Sequence, residues 1–325
     1  MSKIAFVFPG QGSQKVGMGR SLCAAYPYVR ETFARADEAL GYSISKICFD
    51  GPDTELVRTE NTQPALLTCS VAMAQVLRQE IGLRPDLCAG HSLGEYSALV
   101  VAESLSFTDA VRLVHLRGRF MQQAVPEGQG AMAALVGLSK ENVAALCTQA
   151  STDSERVQIA NENGAGQTVV SGHKPAVERA VEQAKKAGCK LAKMLPVSAP
   201  FHSELMRPAA SRLAPELAKV CFSVPRIPVI ANVNAEPYSQ VQAQDISVHL
   251  IEQVSATVRW QGCVEKLVSM GAAAVFEVGP GTVLQGLVKR IAANVCVASV
   301  FEPTDVPAVS EILSRVPATN QGRLP

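Results

Sequence analysis

The chain has 325 residues, a formal net charge of +1 and a hydrophobic content of 47%. A chain of this size can bury a large core, whereas its near-neutral charge argues against general nucleic-acid binding, which needs a strongly basic face. Its nine cysteines are scattered without C-x-x-C pairs or metal-ligand spacing, and no apolar run approaches the roughly 20 residues of a membrane span. We therefore expect a soluble cytoplasmic protein without signal peptide or metal.

Short β-rich runs alternate with amphipathic helices over most of the chain, which is typical of an α/β protein. In chain order the predicted elements of this body are strand Ile4–Phe8, helix Pro64–Ile81, strand Leu87–Ala89, helices Leu93–Glu103, Phe107–Ala124 and Leu205–Val220, strand Val229–Val233, helix Gln261–Met270, strand Ala274–Val278, helix Val283–Ala292 and strand Val295–Val300. Helix Pro64–Ile81 is expected to begin at its proline and to end before Gly82, a common pair of boundary residues.

The segment between the predicted helices Phe107–Ala124 and Leu205–Val220 has a different order of elements. It predicts β-α-β-β-α-β, which is the ferredoxin-like pattern. We therefore expect an α/β body formed by residues 1–125 and 199–301, with a ferredoxin-like subdomain inserted at residues 126–198 and a loosely ordered tail at 302–325. The predicted subdomain elements are Ala131–Leu138, Ser139–Ala150, Val157–Ala160, Thr168–Ser171, Pro175–Gly188 and Lys190–Leu195.

A G-x-S-x-G pattern follows the second predicted strand. Gly90 and Gly94 flank Ser92, and small residues at these positions permit a sharp turn that exposes the serine hydroxyl at the start of a helix. The same turn leaves the Leu93 backbone N–H free, where the helix dipole is positive. The pattern predicts a nucleophilic serine, although a tight connection with a buried serine would give the same letters.

A serine nucleophile needs a base to take its proton. Of the five histidines, His202 lies in a loop after a strand and before a helix, where catalytic residues often lie, and we favour it as the base. Neither Asp109 nor Asp153, the two aspartates between the serine and the histidine, has a motif context. We therefore expect a serine-histidine dyad in which a backbone carbonyl or an amide orients the histidine.

The helix Phe107–Ala124 carries an arginine on its apolar face. At 100° per residue, Arg117 falls among the apolar side chains of this helix, Met121 included, whereas Arg112 and Arg119 fall on the opposite side. A buried guanidinium keeps its charge and needs an anion. An internal salt bridge would supply one; the other interpretation is that Arg117 binds a substrate carboxylate bidentately, which favours transfer of an acyl group bearing a carboxylate.

Several motifs in combination resemble the malonyl-CoA:acyl carrier protein transacylases and the related acyltransferase domains of polyketide synthases. The likeness extends from Ile4 to about Phe301. Its motifs are FPGQGSQ near the start, NTQPALL at 61–67, GHSLGEYSAL at 90–99, RGRFMQ at 117–122, GAMAALVGL at 130–138, ANENGAGQTVVSG at 160–172, PFHSELM at 200–206 and FEVGPG at 276–281.

The resemblance implies a hydrolase-like α/β body with a ferredoxin-like subdomain, and a reaction through a malonyl-serine. It implies Ser92 as nucleophile, His202 as base and Arg117 as the carboxylate-binding residue. Gln253 matches a glutamine whose backbone carbonyl orients the histidine, although Ser255-Ala256 replaces the asparagine-proline usual in the family.

The glycine-rich loop after the first strand is explained by the same resemblance. It lacks the third glycine of G-x-G-x-x-G and the G-K-[ST] ending of a P-loop, so a nucleotide phosphate fits poorly. The family uses the backbone N–H groups at the positions of Gln11 and Leu93 as an oxyanion hole. Met121 and Phe201 are expected at the substrate, where phenylalanine before the histidine goes with malonyl and serine with methylmalonyl in the polyketide enzymes.

The implied partners are a coenzyme A thioester and an acyl carrier protein, with no bound cofactor, no nucleic acid, no membrane and a monomeric state. Three other functions remain open: a free-standing acyltransferase of polyketide synthesis, an acyl hydrolase, and a carrier-binding module without catalysis. Four lysines of the subdomain could contact an acidic carrier protein, although such charges are more often a solvated face. They are Lys185, Lys186, Lys190 and Lys193.

Overall fold

Two β-sheets organise the part of the chain that the computed structural model describes, residues 2–197, 199–238 and 243–315. The strands are β1 Lys3–Phe8, β2 Leu87–Gly90, β3 Gly130–Val136, β4 Val157–Gly164, β5 Gln167–His173, β6 Leu191–Met194, β7 Val229–Ile230, β8 Ala272–Val278 and β9 Cys296–Val300.

α-Helices connect and cover these strands. They are α1 Arg20–Ala25, α2 Val29–Leu40, α3 Ile44–Asp50, α4 Asp53–Leu56, α5 Thr59–Ile81, α6 Gly94–Val101, α7 Phe107–Gln123, α8 Lys140–Ala150, α9 Lys174–Lys186, α10 Arg207–Leu217, α11 Ala243–Gln253, α12 Trp260–Ser269, α13 Val283–Ile291 and α14 Val306–Arg315. None of those in the described ranges combines the length and apolarity needed to cross a bilayer.

The first sheet has the order β7-β2-β1-β8-β9, and all its strand pairs are parallel. Helices cover both of its faces, so β1 is apolar from Ile4 to Phe8: Ile4, Phe6 and Phe8 belong to one core cluster, whereas Ala5 and Val7 belong to the other. The register Phe8↔Gly90 places the ends of β1 and β2 side by side. The loops that follow these two strands therefore meet at the same edge of the sheet.

The second sheet is antiparallel, with the order β4-β5-β3-β6. With α8 and α9 it encloses its own core, and its chain order β-α-β-β-α-β is the predicted ferredoxin-like one. Its strands lie between Gly130 and Met194, inside the segment predicted as an insertion. The α/β body with a ferredoxin-like subdomain is thereby confirmed.

The two units are joined beside β4. The Val258 N–H donates to the Ala160 carbonyl at 2.8 Å, and the Glu162 N–H donates to the Val258 carbonyl at 2.9 Å. One residue of the body therefore extends the subdomain sheet by a short parallel bridge with Asn161.

Helix α5 begins earlier than predicted. It starts at Thr59, so Pro64 lies inside the helix and not in its first turn. Proline has no N–H for the carbonyl of Glu60 four residues before it, and that carbonyl lies 3.0 Å from His115 Nδ1 on α7 instead. A side chain from the neighbouring helix thus replaces the lost helical hydrogen bond. The end of the helix at Gly82, with φ 64°, is as predicted.

Two other segments differ from the sequence prediction. Strand β7 stops at Ile230 because the chain turns at once, the Ala231 N–H bonding to the Glu236 carbonyl at 2.9 Å. Part of the segment expected to be a loose tail forms α14, where Val309 is buried; residues 316–325 of that segment lie outside the described residues. Helices α1–α4 and α11 had no predicted counterpart.

Candidate active site

Ser92 lies on the turn between β2 and α6, with a φ of 52° in the left-handed region. A Cβ at Gly90 would lie 1.8 Å from the Gly94 carbonyl carbon, and a Cβ at Gly94 would lie 2.1 Å from the Phe8 carbonyl oxygen. Side chains are therefore excluded at both positions, which explains why the pattern requires glycine on both sides of the serine. The predicted sharp turn is present.

The Ser92 hydroxyl contacts a buried histidine. Ser92 Oγ lies 2.7 Å from His202 Nε2, and His202 Nδ1 lies 2.8 Å from the carbonyl oxygen of Gln253. A carbonyl can only accept, so Nδ1 carries the proton and Nε2 is free to accept from the serine. Burial, the charge of Arg117 and other weaker influences lower the pKa of His202 to about 3, which keeps the ring neutral near pH 7.

The chain brings together the three residues predicted as a dyad and its orienting carbonyl, although 110 positions separate Ser92 from His202. Among the described residues His202 has no carboxylate partner. Asp109 instead caps the start of α7 with Ser106, and Asp153 is exposed in a loop of the subdomain. The histidine is oriented by a neutral group, as the sequence predicted.

Arg117 is buried on α7, with 2% of its surface exposed. Its Nη2 donates to Ser92 Oγ at 3.1 Å and to Gln253 Oε1 at 2.9 Å, while Nη1 donates to Gln63 Oε1 at 2.8 Å. None of the ion pairs within the described residues involves Arg117, and its Nε has no partner there. The internal salt bridge is therefore not formed in these residues. The Arg117 guanidinium, which contacts Ser92, retains an Nε–H without an acceptor.

Close helix packing places Arg117 at this point. A Cβ at Gly118 would lie 2.5 Å from the Thr59 carbonyl oxygen, so the glycine lets α7 approach the start of α5. That approach brings Gln63 onto the guanidinium. The Gln63 amide also donates to Met121 Sδ at 3.9 Å, so the same glutamine contacts both Met121 and Arg117.

A buried polar network lies beneath the dyad, and the sequence did not predict it. The Gln253 side-chain Nε2 donates to the Ser92 carbonyl at 2.9 Å and to Glu95 Oε2 at 2.8 Å. Asn232 accepts from the Ser92 N–H at 2.7 Å and donates to the Gly90 carbonyl at 2.7 Å. The hydroxyl of Tyr238 also donates to Glu95. This network fixes the backbone on which the serine turns.

Glu95 is the one carboxylate in that network. It is 1% exposed, and burial raises its pKa to about 7 against the opposing effect of hydrogen bonds from Tyr238, Gln253 and Asn232. The available signal in the sequence was a glutamate three residues after the serine, in a helix that is otherwise almost entirely apolar and small. Gln63 and Asn232 had no comparable local signal.

The two predicted oxyanion donors lie at the adjoining ends of β1 and β2. Leu93 is buried at the start of α6, and Gln11 follows Gly10, whose Cβ would meet the carbonyl of His91 at 2.7 Å. In the described residues neither the Gln11 nor the Leu93 backbone N–H donates to a protein acceptor. Neither N–H group is thus used by another protein group in the described residues.

The remaining predicted residues are Phe201, beside the dyad in sequence, and the lysines of the subdomain. Phe201 is 7% exposed, precedes the histidine directly and packs into the main core. The four subdomain lysines are exposed. No group of three His, Cys, Asp or Glu side chains suited to a metal ion occurs among the residues that the structure describes.

A serine held on a strand-to-helix turn and bonded to a buried neutral histidine defines a class of α/β proteins arranged for nucleophilic chemistry at serine. Residues 5–305 match the family model described as acyl transferase domain, and the chain belongs to that family. The resemblance derived from the sequence motifs is confirmed.

Individual relatives agree with this assignment. The chain is 49% identical to a malonyl CoA-acyl carrier protein transacylase of Escherichia coli (strain K12), covering 96% of this chain and 100% of the relative. It is similar to the crystal structure of an acyl carrier protein S-malonyltransferase from Vibrio cholerae, with a TM-score of 0.91, 48% identity and coverage of 95% and 100%. It is also similar to a malonyl-transacylase solved in complex with its type II polyketide synthase acyl carrier protein, with a TM-score of 0.92, 44% identity and coverage of 95% and 99%.

Proposed function

We propose that this protein transfers a malonyl group from coenzyme A to the phosphopantetheine thiol of an acyl carrier protein, through a malonyl ester of Ser92. The observation that carries the proposal is the double contact of the Ser92 hydroxyl, with His202 Nε2 at 2.7 Å and with Arg117 Nη2 at 3.1 Å. The first contact supplies a base, and the second supplies a cation for an acyl group that ends in a carboxylate. The names of relatives up to 49% identical supply the malonyl group and the carrier protein.

The first half of the reaction forms the acyl-enzyme. His202 Nε2 takes the Ser92 proton, Oγ attacks the thioester carbonyl, and the Gln11 and Leu93 N–H groups donate to the oxyanion. The C–S bond then breaks, and the coenzyme A sulfur leaves with the proton held by His202. One oxyanion donor is worth about 3 kcal/mol in comparable sites.

The second half is the reverse with another thiol. The carrier's phosphopantetheine thiol gives its proton to His202 and attacks the malonyl ester, and the serine oxygen recovers the proton when the C–O bond breaks. The Gln253 carbonyl holds the protonated Nδ1 of His202 in both halves. Neither half requires a cofactor or a metal. Because coenzyme A leaves before the carrier protein reacts, the mechanism predicts ping-pong kinetics.

Arg117 binds the free carboxylate of the malonyl group. Burial without a carboxylate partner leaves the guanidinium charge uncompensated, and a substrate carboxylate accepting from Nε and an Nη group would compensate it. Met121, through Gln63, and Phe201, next to His202, border this position. A group without a carboxylate would leave the cation uncompensated.

We assign the reaction to fatty-acid synthesis in the cytoplasm by a monomer, with the exposed subdomain lysines as part of the face that meets the acidic carrier. The alternative pathway is polyketide synthesis. The observation behind this alternative is the 44% identity to a transacylase solved with its polyketide carrier protein. Turnover with purified fatty-acid and polyketide carriers separates the two pathways. Release of free malonate without a carrier, at a rate matching transfer, would indicate a hydrolase.

Intact-protein mass spectrometry after mixing with malonyl-CoA tests the proposed function. We expect a stable malonyl adduct on Ser92 that is discharged by a phosphopantetheinylated carrier protein and is not formed by Ser92→Ala. Absence of the adduct from the unaltered protein would refute the assignment and favour a carrier-binding module. Persistence of the adduct in Ser92→Ala would refute Ser92 as the nucleophile.

A further inference from the structure

The backbone at His202 has a conformation that the surrounding structure must hold. Its φ of 57° lies in the left-handed region, which costs a residue other than glycine about 1–3 kcal/mol. The contacts to Ser92 and Gln253 hold the ring but not the chain on either side of it. Within the loop, the Ser203 hydroxyl donates to the Pro200 carbonyl at 2.7 Å, which fixes the turn before the histidine.

A side chain of the other sheet holds the chain after the histidine. Gln158, on β4, accepts from the Glu204 N–H through Oε1 at 2.9 Å, and its Nε2 lies 3.4 Å from the His202 carbonyl oxygen. The first contact is a normal hydrogen bond and the second a long one. One amide thus bridges the carbonyl of His202 and the N–H of Glu204, on either side of the buried Ser203.

This side of the loop borders a pocket that is open to solvent. The pocket has a volume of about 240 Å³ and is lined by Gln158 and Ser171 of the subdomain and by Ser203, Glu204 and Arg207 of the body. Space of this kind gives the loop room to relax if its hydrogen bonds are removed. On this open side, the Gln158 amide is therefore the restraint that the subdomain supplies to the loop backbone.

We propose that Gln158 is a positioning residue for His202, through which the ferredoxin-like subdomain aims the catalytic base at Ser92. This inference depends on the proposed function, because it assigns Gln158 to the base of that reaction. The predicted consequence is specific to the chemical step: without the amide, substrate still binds, but His202 is less often directed at the Ser92 hydroxyl. Displacing a catalytic group by about 1 Å can reduce a rate on the order of 10²-fold.

The matched control is Thr257, which also joins the body to β4 and whose side chain makes no hydrogen bond to the histidine loop among the described residues. Its Oγ1 donates to the Ile159 carbonyl at 2.7 Å. Thr257→Val therefore removes one hydrogen bond between the same two units. A role of Gln158 confined to holding the two units together would make the two substitutions equivalent.

The experiment measures single-turnover formation of the malonyl-enzyme over a range of malonyl-CoA concentrations for the unaltered protein, Gln158→Ala and Thr257→Val. We expect Gln158→Ala to lower the maximal rate by about 10- to 100-fold with an unchanged half-saturating concentration, and Thr257→Val to keep the maximal rate within about 2-fold. An unchanged maximal rate in Gln158→Ala, or an equal loss in Thr257→Val, would overturn the inference. A lack of adduct in the unaltered protein would refute the proposed function instead, so the two failures are distinguishable.

Discussion

Arg117 donates to the Ser92 hydroxyl through Nη2 at 3.1 Å, so the buried cation and the serine oxygen lie within one hydrogen bond of each other. A three-carbon dicarboxylic acyl group on Oγ would bring its free carboxylate back to this guanidinium. Arg117→Ala should therefore reduce malonyl transfer by about 10²-fold or more, because a charge-assisted contact is lost from a desolvated site. Acetyl transfer should fall much less. Acylation by malonyl-CoA and acetyl-CoA is measured in parallel, and equal losses would mean that Arg117 only supports the structure.

His202 should act as a base even in mild acid. Burial and the charge of Arg117 lower the pKa of His202 to about 3, so the neutral ring predominates at pH 5 as well as at pH 7. The acylation kcat/KM, which reflects the free enzyme, should then be nearly constant over this range. A histidine of ordinary pKa near 6.5 would lose roughly 25-fold. His202→Ala should slow acylation on the order of 10²-fold at both pH values, and a near-normal rate would mean that another group is the base.

Glu95 should make stability fall as pH rises. Burial raises its pKa from 4.5 to about 7, so between these values the folded protein retains a proton that the unfolded chain has lost. The free energy of unfolding therefore declines with pH in this window, by about 3 kcal/mol at most. His202, with its lowered pKa, acts in the opposite sense at acidic pH, so the comparison must be made with a variant that changes Glu95 alone.

The variant for this test is Glu95→Gln, which keeps the shape and cannot ionise. Urea unfolding of both proteins from pH 4.5 to 7 should show the variant gaining stability relative to the unaltered protein as pH rises. Its absolute stability is expected to be lower at the start, because an amide group meets three donors in place of a carboxyl group. A difference in unfolding free energy that does not vary with pH would exclude titration of Glu95 in this range.

The sequence predicted those parts of the site that local patterns encode. The glycines around Ser92 and the helical phase of Arg117 are properties of short segments, and both predictions agree with the structure. His202 is favoured as the base from its position in a loop before a helix, whereas Gln253 comes only from a resemblance, since no local pattern relates residues 110 and 161 positions apart. The roles of Gln63 and Asn232 were not predicted either, because the role of an uncharged amide depends on partners that are distant in the sequence.

Element boundaries failed where tertiary contacts replaced local rules. The sequence predicts a helix start at Pro64, yet the helix continues through it because His115 contacts the carbonyl that proline leaves unpaired. Strand β7 was predicted too long since the apolar run continues into a tight turn that carries Asn232 toward the serine. In both places the deviation from the local rule lies next to the site.

Phe201 is expected to restrict the acyl group. Its ring directly precedes His202 and is almost wholly buried, so Phe201→Ser would open space beside the dyad for an α-methyl branch. Exclusion of one methyl is worth about 1–3 kcal/mol, so the preference for malonyl over methylmalonyl should be no more than about 10- to 200-fold and should diminish in the variant. The kcat/KM ratio for the two acyl-CoAs is compared within each protein, which cancels any general loss of activity. A ratio that does not move toward methylmalonyl would separate Phe201 from the acyl pocket.

Gln253 uses its two halves for different tasks: the backbone carbonyl meets His202 Nδ1, while the side-chain amide meets Arg117 and Glu95. A substitution at residue 253 changes the second set of contacts and leaves the first in place, since every amino acid supplies the same carbonyl. The carbonyl that orients His202 is thus independent of the side chain at this position, whereas the contacts of Arg117, Glu95 and the Ser92 carbonyl depend on it. Under the proposed function, a substitution at residue 253 is therefore expected to alter the guanidinium and the serine turn while the carbonyl that orients the base persists.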